Sequence, residues 1–182
     1  MWTGNIKHEL SVLGLEYVFD SDLPIQIAYK TIEQRLLDIN RQDVLSRIRN
    51  SSKGYLYQHL TDNFCIQYYL CKPIEAKYKR IITCFRLSAH NLNIEIGRRN
   101  NIGRRSRLCT MCNVGDVEDE FHFILKCPFY KELREKYIKV FYYRIPSVFK
   151  LTKLLSVNNV KELCNLGKYL YFATRKRKNS NN

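Results

Sequence analysis

Glycine and proline are scarce in this chain of 182 residues: seven and four. That is about half of what average usage, ~7% and ~5%, would supply. Little material is left for the tight turns of a β-sandwich or barrel, so helices are favoured. No apolar run approaches the ~18 to 20 residues of a membrane span, and no charged-then-apolar N-terminal segment resembles a signal peptide. These absences predict an intracellular protein of nucleus or cytoplasm, neither secreted nor membrane-bound. Catalytic signatures are missing too. The chain has no glycine-rich phosphate loop, no G-x-S-x-G and no adjacent Asp-Asp pair, and its acids are too dispersed for a two-metal nuclease site. Neither enzymatic activity nor a small-molecule substrate is expected.

Acid is the other shortage. Seventeen Asp and Glu face 31 Lys and Arg, a formal charge of +14. A field of that sign attracts polyanions, which makes the backbone of RNA or DNA the leading partner. The hydrophobic fraction is 45% and the charged fraction 26%. A domain of this size buries roughly 70% of its unfolded surface and needs no disulfide staples. Seven cysteines, an odd number at irregular spacing, fit free thiols and metal ligands in a reducing compartment.

The periodicity predicts an all-α chain. Ser21, Asp22 and Pro24 signal a helix start, followed at helical spacing by Ile25, Ala28, Ile32, Leu36 and Ile39. A second helix is expected from Asn40, and over 55–71 a largely buried helix or two short ones, with strand as the alternative, ending at Pro73. Over 77–88, Tyr78, Ile81, Ile82 and Phe85 share a face, while Lys79 and Arg86 share a flank and predict a basic ridge. A helix after Pro128 should carry the apolar stripe Phe129, Leu133, Tyr137 and Val140 or Phe141, with Glu132–Lys136 and Glu135–Lys139 pairs on its solvated side. In a last helix from Val160, Gly167 allows close packing, and 175–178 reads as a frayed basic tail.

The sharpest constellation is Cys109-x2-Cys112, then His122 after nine residues and Cys127 after four more. Zinc takes four soft or borderline donors in a tetrahedron; a C-x2-C turn supplies two thiolates and a second element the other pair. Five residues of ideal α-helix rotate by ~140°, so His122 and Cys127 converge only if the helix unwinds before Cys127. Pro128 disfavours helical geometry there. Four filled positions leave none for water, which argues for a structural ion. The acids between the pairs, Asp116, Glu118, Asp119 and Glu120, suit the start of the helix bearing His122. Cys65, Cys71, Cys84 and Cys164 sit at apolar positions and read as core. Directly upstream, Arg98, Arg99, Arg104, Arg105 and Arg107 fall within ten positions without an acid. Arginine forks onto phosphate, so this cluster, with Lys79 and Arg86, is a candidate backbone clamp. A solvated loop, or counter-charge to the acids, is the competing reading.

The run from Phe85 through His90, Glu95 and Gly97-Arg98, then Arg107-Leu-Cys109-x2-Cys112, then Glu118-Asp-Glu-Phe-His122 to Cys127-Pro128-x-Tyr130, resembles the C-terminal region of animal non-LTR retrotransposon polyproteins. Weaker similarity extends over nearly the whole chain. The resemblance implies a Cys-Cys-His-Cys knuckle and a fragment that follows the reverse transcriptase domain, without the family's polymerase and endonuclease acids. It implies a part in holding template RNA or target DNA, and places Arg98 and Arg107 near the knuckle. His90 matches the family pattern; by its position it reads as a helix-end or packing residue, not a fifth ligand. The organisation expected is a helical linker over 1–97, a basic loop and zinc knuckle over 98–130, and C-terminal helices with a basic tail over 131–182. The alternative function is a zinc-stabilised structural or protein-interaction module with no nucleic-acid role.

Overall fold

The computed structural model describes residues 2–53, 56–60 and 66–180. The chain is all-α, as the composition predicts; among the described residues, the pairing outside helices is an isolated antiparallel bridge between Leu108 and Val117. It divides into two compact units, Met1–Asn50 and Ser51–Asn182. The boundaries expected from sequence at 97 and 130 fall inside the second.

The first unit holds α1 (Trp2–Val12), α2 (Glu16–Asp20) and α3 (Ile25–Asn50). Its core is Leu10, Leu15 and Val18, with Ile6, Leu13, Leu23, Ala28 and Ile32 packed around them. Arg35 Nε donates to the Leu13 carbonyl at 2.8 Å and ties α3 to the turn after α1. The break expected at Asn40 does not occur: α3 runs on for 26 residues. A capping preference is weak where neither proline nor glycine interrupts the backbone ladder.

The second unit contains α4 (Tyr68–Cys71), α5 (Ala76–Arg86), α6 (Asn93–Arg99), α7 (Lys131–Tyr137), α8 (Val140–Tyr143), α9 (Val148–Leu155) and α10 (Val160–Ser180). A single core runs from Leu56 to Ala173. Its axis is the pairing of α5 with α10, in which Ile82 and Phe85 meet the face of Leu163, Leu166 and Leu170. Gly167 permits that approach as expected, because a Cβ there would collide with Tyr78 Cβ. Over 55–71 the described residues form two short helical pieces, a 3-10 turn at Tyr57–His59 and α4; Cys65 lies outside them.

Two further expectations are corrected. The basic ridge on α5 does not form, because Arg86 is buried, 3% exposed. It lies four residues beyond Ile82 and eight beyond Tyr78, so it shares their inward face. Its guanidinium donates to the carbonyls of Leu155 and Leu60 and, at 2.7 Å, to Gln67 Oε1. Lys79 donates to the Leu70 carbonyl at 2.7 Å. The helix after Pro128 is also shorter than its stripe. Ile138 adopts extended backbone, ψ 133°, so Ile138 and Tyr142 enter the core while Val140 and Phe141 are exposed. The two i,i+4 pairs expected on that helix are not made: Glu135 approaches Lys131, and Lys139 pairs with Glu162 at 2.6 Å.

Candidate metal centre

The site is built on two short elements. The bridge between Leu108 and Val117 is flanked by Cys109 N–H donating to the Asp116 carbonyl and Glu118 N–H to that of Arg107, both at 2.9 Å. This closes the loop bearing Cys109 and Cys112. Asp119 then caps the following helix, accepting from His122 N–H at 2.9 Å. The helix widens into a π turn, His122–Lys126, in which Cys127 N–H donates to the His122 carbonyl at 2.7 Å, five residues back. That wider turn brings positions 122 and 127 to one side, where an α-helix would part them. Cys127 leaves the helix at φ −51°, ψ 120°, as its proline neighbour requires. Convergence is therefore achieved by overwidening one turn, not by unwinding it.

The ligand atoms of Cys109, Cys112, His122 and Cys127 all lie within 4.8 Å of one another, close enough to hold a metal ion. Cys109 Sγ and Cys127 Sγ are 3.9 Å apart, and Cys112 Sγ is 3.3 Å from His122 Nε2. Zinc–sulfur bonds of ~2.3 Å in a tetrahedron require sulfur–sulfur edges of about 3.8 Å. Both the spacing and the soft donor set fit zinc. His122 presents Nε2, while its buried Nδ1 lies 3.4 Å from an Asp116 oxygen. That approach falls short of a hydrogen bond and acts through charge. A carboxylate behind the ring is the arrangement that orients metal-bound histidines.

The donors also share protons. A hydrogen bond from Cys127 holds the Cys109 thiol well below its usual range, and the same bond pushes Cys127 up. Burial raises Cys112. Burial works to lower His122, but the Cys109 sulfur and the Asp116 charge outweigh it and raise it. A divalent cation in such a set displaces the protons that bind it together.

Behind the ligands lie supports the sequence reading did not single out. Glu118 is fully buried and receives both Nε and Nη2 of Arg177, each at 2.7 Å, and the backbone N–H of Asn93 at 2.8 Å. Arg177 therefore belongs to an ordered α10, and the frayed tail is corrected. Glu120 accepts from Ser88 Oγ at 2.8 Å and lies 3.0 Å from His90 Nε2, which confirms His90 as a packing residue. Buried Arg134 donates to the carbonyls of Ile124 and Cys127, satisfying the end of the π turn. The four acids thus have four separate tasks. Of the four acids expected at the start of the helix bearing His122, Glu120 lies in its first turn and Asp119 caps it, while Asp116 and Glu118 lie before it. Arg177 had a signal: it continues the buried spacing of Leu163, Leu166, Leu170 and Ala173. Glu118 had none that set it apart from its neighbours.

The five arginines divide. Arg98 turns back on Glu95, with Nη2 at 2.7 Å. Arg107 donates to the carbonyls of Ile102 at 2.8 Å and Ile94 at 2.9 Å, and its stem crosses Gly97, where a Cβ would meet Arg107 Cγ at 2.6 Å. These two lock the loop onto α6 while remaining half-exposed, whereas burial takes Arg86 out of the clamp expected from sequence. Arg99, Arg104 and Arg105 are exposed; Arg99 reaches Asn91 and Arg104 pairs with Asp119 at 3.1 Å, so counter-charge accounts for part of the cluster.

No described helix is long and apolar enough to cross a membrane. Compared with known protein families, with curated proteins and with solved structures, the chain matches none. Fold and site define an all-α protein with a three-cysteine, one-histidine cluster able to hold a metal ion.

Proposed function

We propose that the chain is a non-catalytic, zinc-stabilised module that binds the backbone of RNA or DNA, and that it derives from the C-terminal region of a non-LTR retrotransposon polyprotein. The observation that carries the zinc reading is that the ligand atoms of Cys109, Cys112, His122 and Cys127 all lie within 4.8 Å of one another. A bound zinc would neutralise the thiolates and cross-link the loop to the π turn, with no open position for substrate. Binding is supported by the +14 charge and by the exposed Arg99, Arg104 and Arg105 beside the centre. Such side chains grip phosphate and read no bases, so affinity should be alike across sequences. The family assignment rests on the ordered motifs alone.

The test is affinity for RNA and DNA oligonucleotides across a salt series. A steep loss of affinity with salt is expected, flattened by roughly two to three units of log–log slope when Arg99, Arg104 and Arg105 become Ala. Weak, salt-insensitive binding would contradict the reading. A second reading, a protein-interaction module, is favoured by one observation: α3 buries none of its residues, and Ile25, Tyr29 and Leu37 are 82%, 66% and 57% exposed.

A further inference from the structure

In the second unit, α8 and α9 leave an apolar face in water. Tyr142 turns into the core, and Leu151, Leu154 and Leu155 form the buried stripe of α9. Helical spacing then sends Phe141 and Phe149 outward, 51% and 69% exposed. Ile145 and Val148 extend the patch between them. Its frame is fixed at both ends of the connection: Ser147 Oγ caps α9, accepting from Lys150 N–H at 3.2 Å, and Lys150 Nζ donates to the Ile145 carbonyl at 2.7 Å. The charge around the patch has one sign. No Asp or Glu occurs from 139 to 161, where five Lys and Arg do. Lys139 is taken up by Glu162. Lys150 Nζ and Lys153 Nζ stand 4.9 and 5.2 Å from the centre of the Phe141 ring, and Lys153 Nζ lies 5.9 Å from that of Phe149. One ammonium thus bridges two exposed aromatic rings.

We propose that this face is a stacking platform for single-stranded RNA or DNA, with neighbouring bases on Phe141 and Phe149 and the phosphate between them on Lys153. The inference rests on the nucleic-acid reading and deepens it. Charge and level together select the occupant. A lysine-bearing surface without acids is complementary to a polyanion and repels a basic partner, a second copy of this chain included. An apolar face docks on an anionic membrane by sinking its side chains below the headgroups while its cations stay above them. Here the ammoniums lie over the rings themselves, so sinking Phe141 into acyl chains would draw Lys150 and Lys153 out of water with it, which is costly. A single strand instead presents base faces and phosphates side by side along one line, and is held by aromatic rings and cations set side by side in the same way. An exposed contact between an ammonium and a ring is weaker than base stacking, so the lysines yield the rings to bases and move onto phosphate. A duplex keeps its base faces stacked inside and gains only the charge. The platform therefore adds a preference for unpaired strand that the arginine cluster alone does not supply.

The experiment measures zinc-loaded full-length chain against a short mixed-sequence single strand, the same strand with abasic sites, and a duplex of equal length, by fluorescence anisotropy across a salt series, with flotation on phosphatidylcholine–phosphatidylserine vesicles beside it. Phe141→Ala and Phe149→Ala, both at exposed positions, should each weaken binding to the base-bearing strand roughly fivefold or more. The abasic strand and the duplex should bind these variants as they bind the parent, which also shows that the variants are folded. Phe149→Leu keeps apolar bulk and loses the aromatic face, so it should lose as much affinity as Phe149→Ala; full retention would overturn stacking. Lys153→Ala should flatten the log–log salt slope for the single strand by about 0.7. Equal affinity for base-bearing and abasic strands, with both phenylalanine variants silent, would overturn the platform while the salt-dependent backbone reading stands. Absence of salt-dependent binding to any of the three would overturn both. Vesicle binding that falls in Phe149→Ala and survives in Phe149→Leu, with strand binding unchanged in both, would assign the face to lipid and overturn the platform.

Discussion

The two units solve the problem of stability differently. Among its described residues, Met1–Asn50 buries Leu10, Leu15 and Val18, and it devotes more than half its length to α3, none of which is buried. Ser51–Asn182 gathers one continuous core and drives charged and polar groups into it: Glu118 with Arg177, Glu120 with Ser88 and His90, and Arg134 and Arg86 on backbone carbonyls. A buried charge is tolerated only when every one of its bonds is made. The second unit thus has a specified, all-or-none architecture around the metal loop, while the first presents an apolar surface that its own core leaves uncovered.

The largest expected effect is metal removal. Structural zinc in small fingers contributes ~10 kcal/mol or more of apparent binding energy. Stripping it from zinc-loaded protein should collapse amide-exchange protection over 107–128 while α1 to α3 keep theirs. Equal losses in both units would erase the contrast between them. Next comes the buried ion pair: Arg177→Met should cost about 3 to 5 kcal/mol in denaturant unfolding, because it strands the Glu118 carboxylate. The double variant Glu118→Gln with Arg177→Met should cost clearly less; additive losses would mean the pair does not act as a unit.

Gly167→Ala should cost about 1 to 3 kcal/mol by forcing α5 and α10 apart, read as a lowered unfolding midpoint. Smallest is Leu37→Gln on exposed α3, expected within about 0.5 kcal/mol. A larger loss would mean that this face is covered in solution, which would reverse the comparison.

How legible this was from sequence differs by the kind of physics. The three-cysteine, one-histidine cluster was readable because metal-binding residue types at ligand spacing fall close together in the chain. Pro128 even marked where the helix had to stop, although the π turn that makes His122 and Cys127 converge has no residue signature. Gly167 was readable as a missing side chain on a buried face. Arg86 was misjudged because charge suggests solvent, whereas a long stem can lie over apolar surface while its guanidinium reaches carbonyls. In Arg86 the spacing from Tyr78 and Ile82 outweighed the charge. The Glu118–Arg177 pair joins residues 59 positions apart, beyond the reach of any local pattern.

The most direct test of the central claim is the metal content of purified protein prepared with zinc present, by native mass spectrometry beside elemental analysis. One zinc per chain is predicted, lost in Cys112→Ser and in Cys127→Ser, and retained in Cys164→Ser, whose thiol lies outside the cluster. Less than half an equivalent in the parent protein, or an unchanged zinc content in Cys112→Ser, would contradict the account.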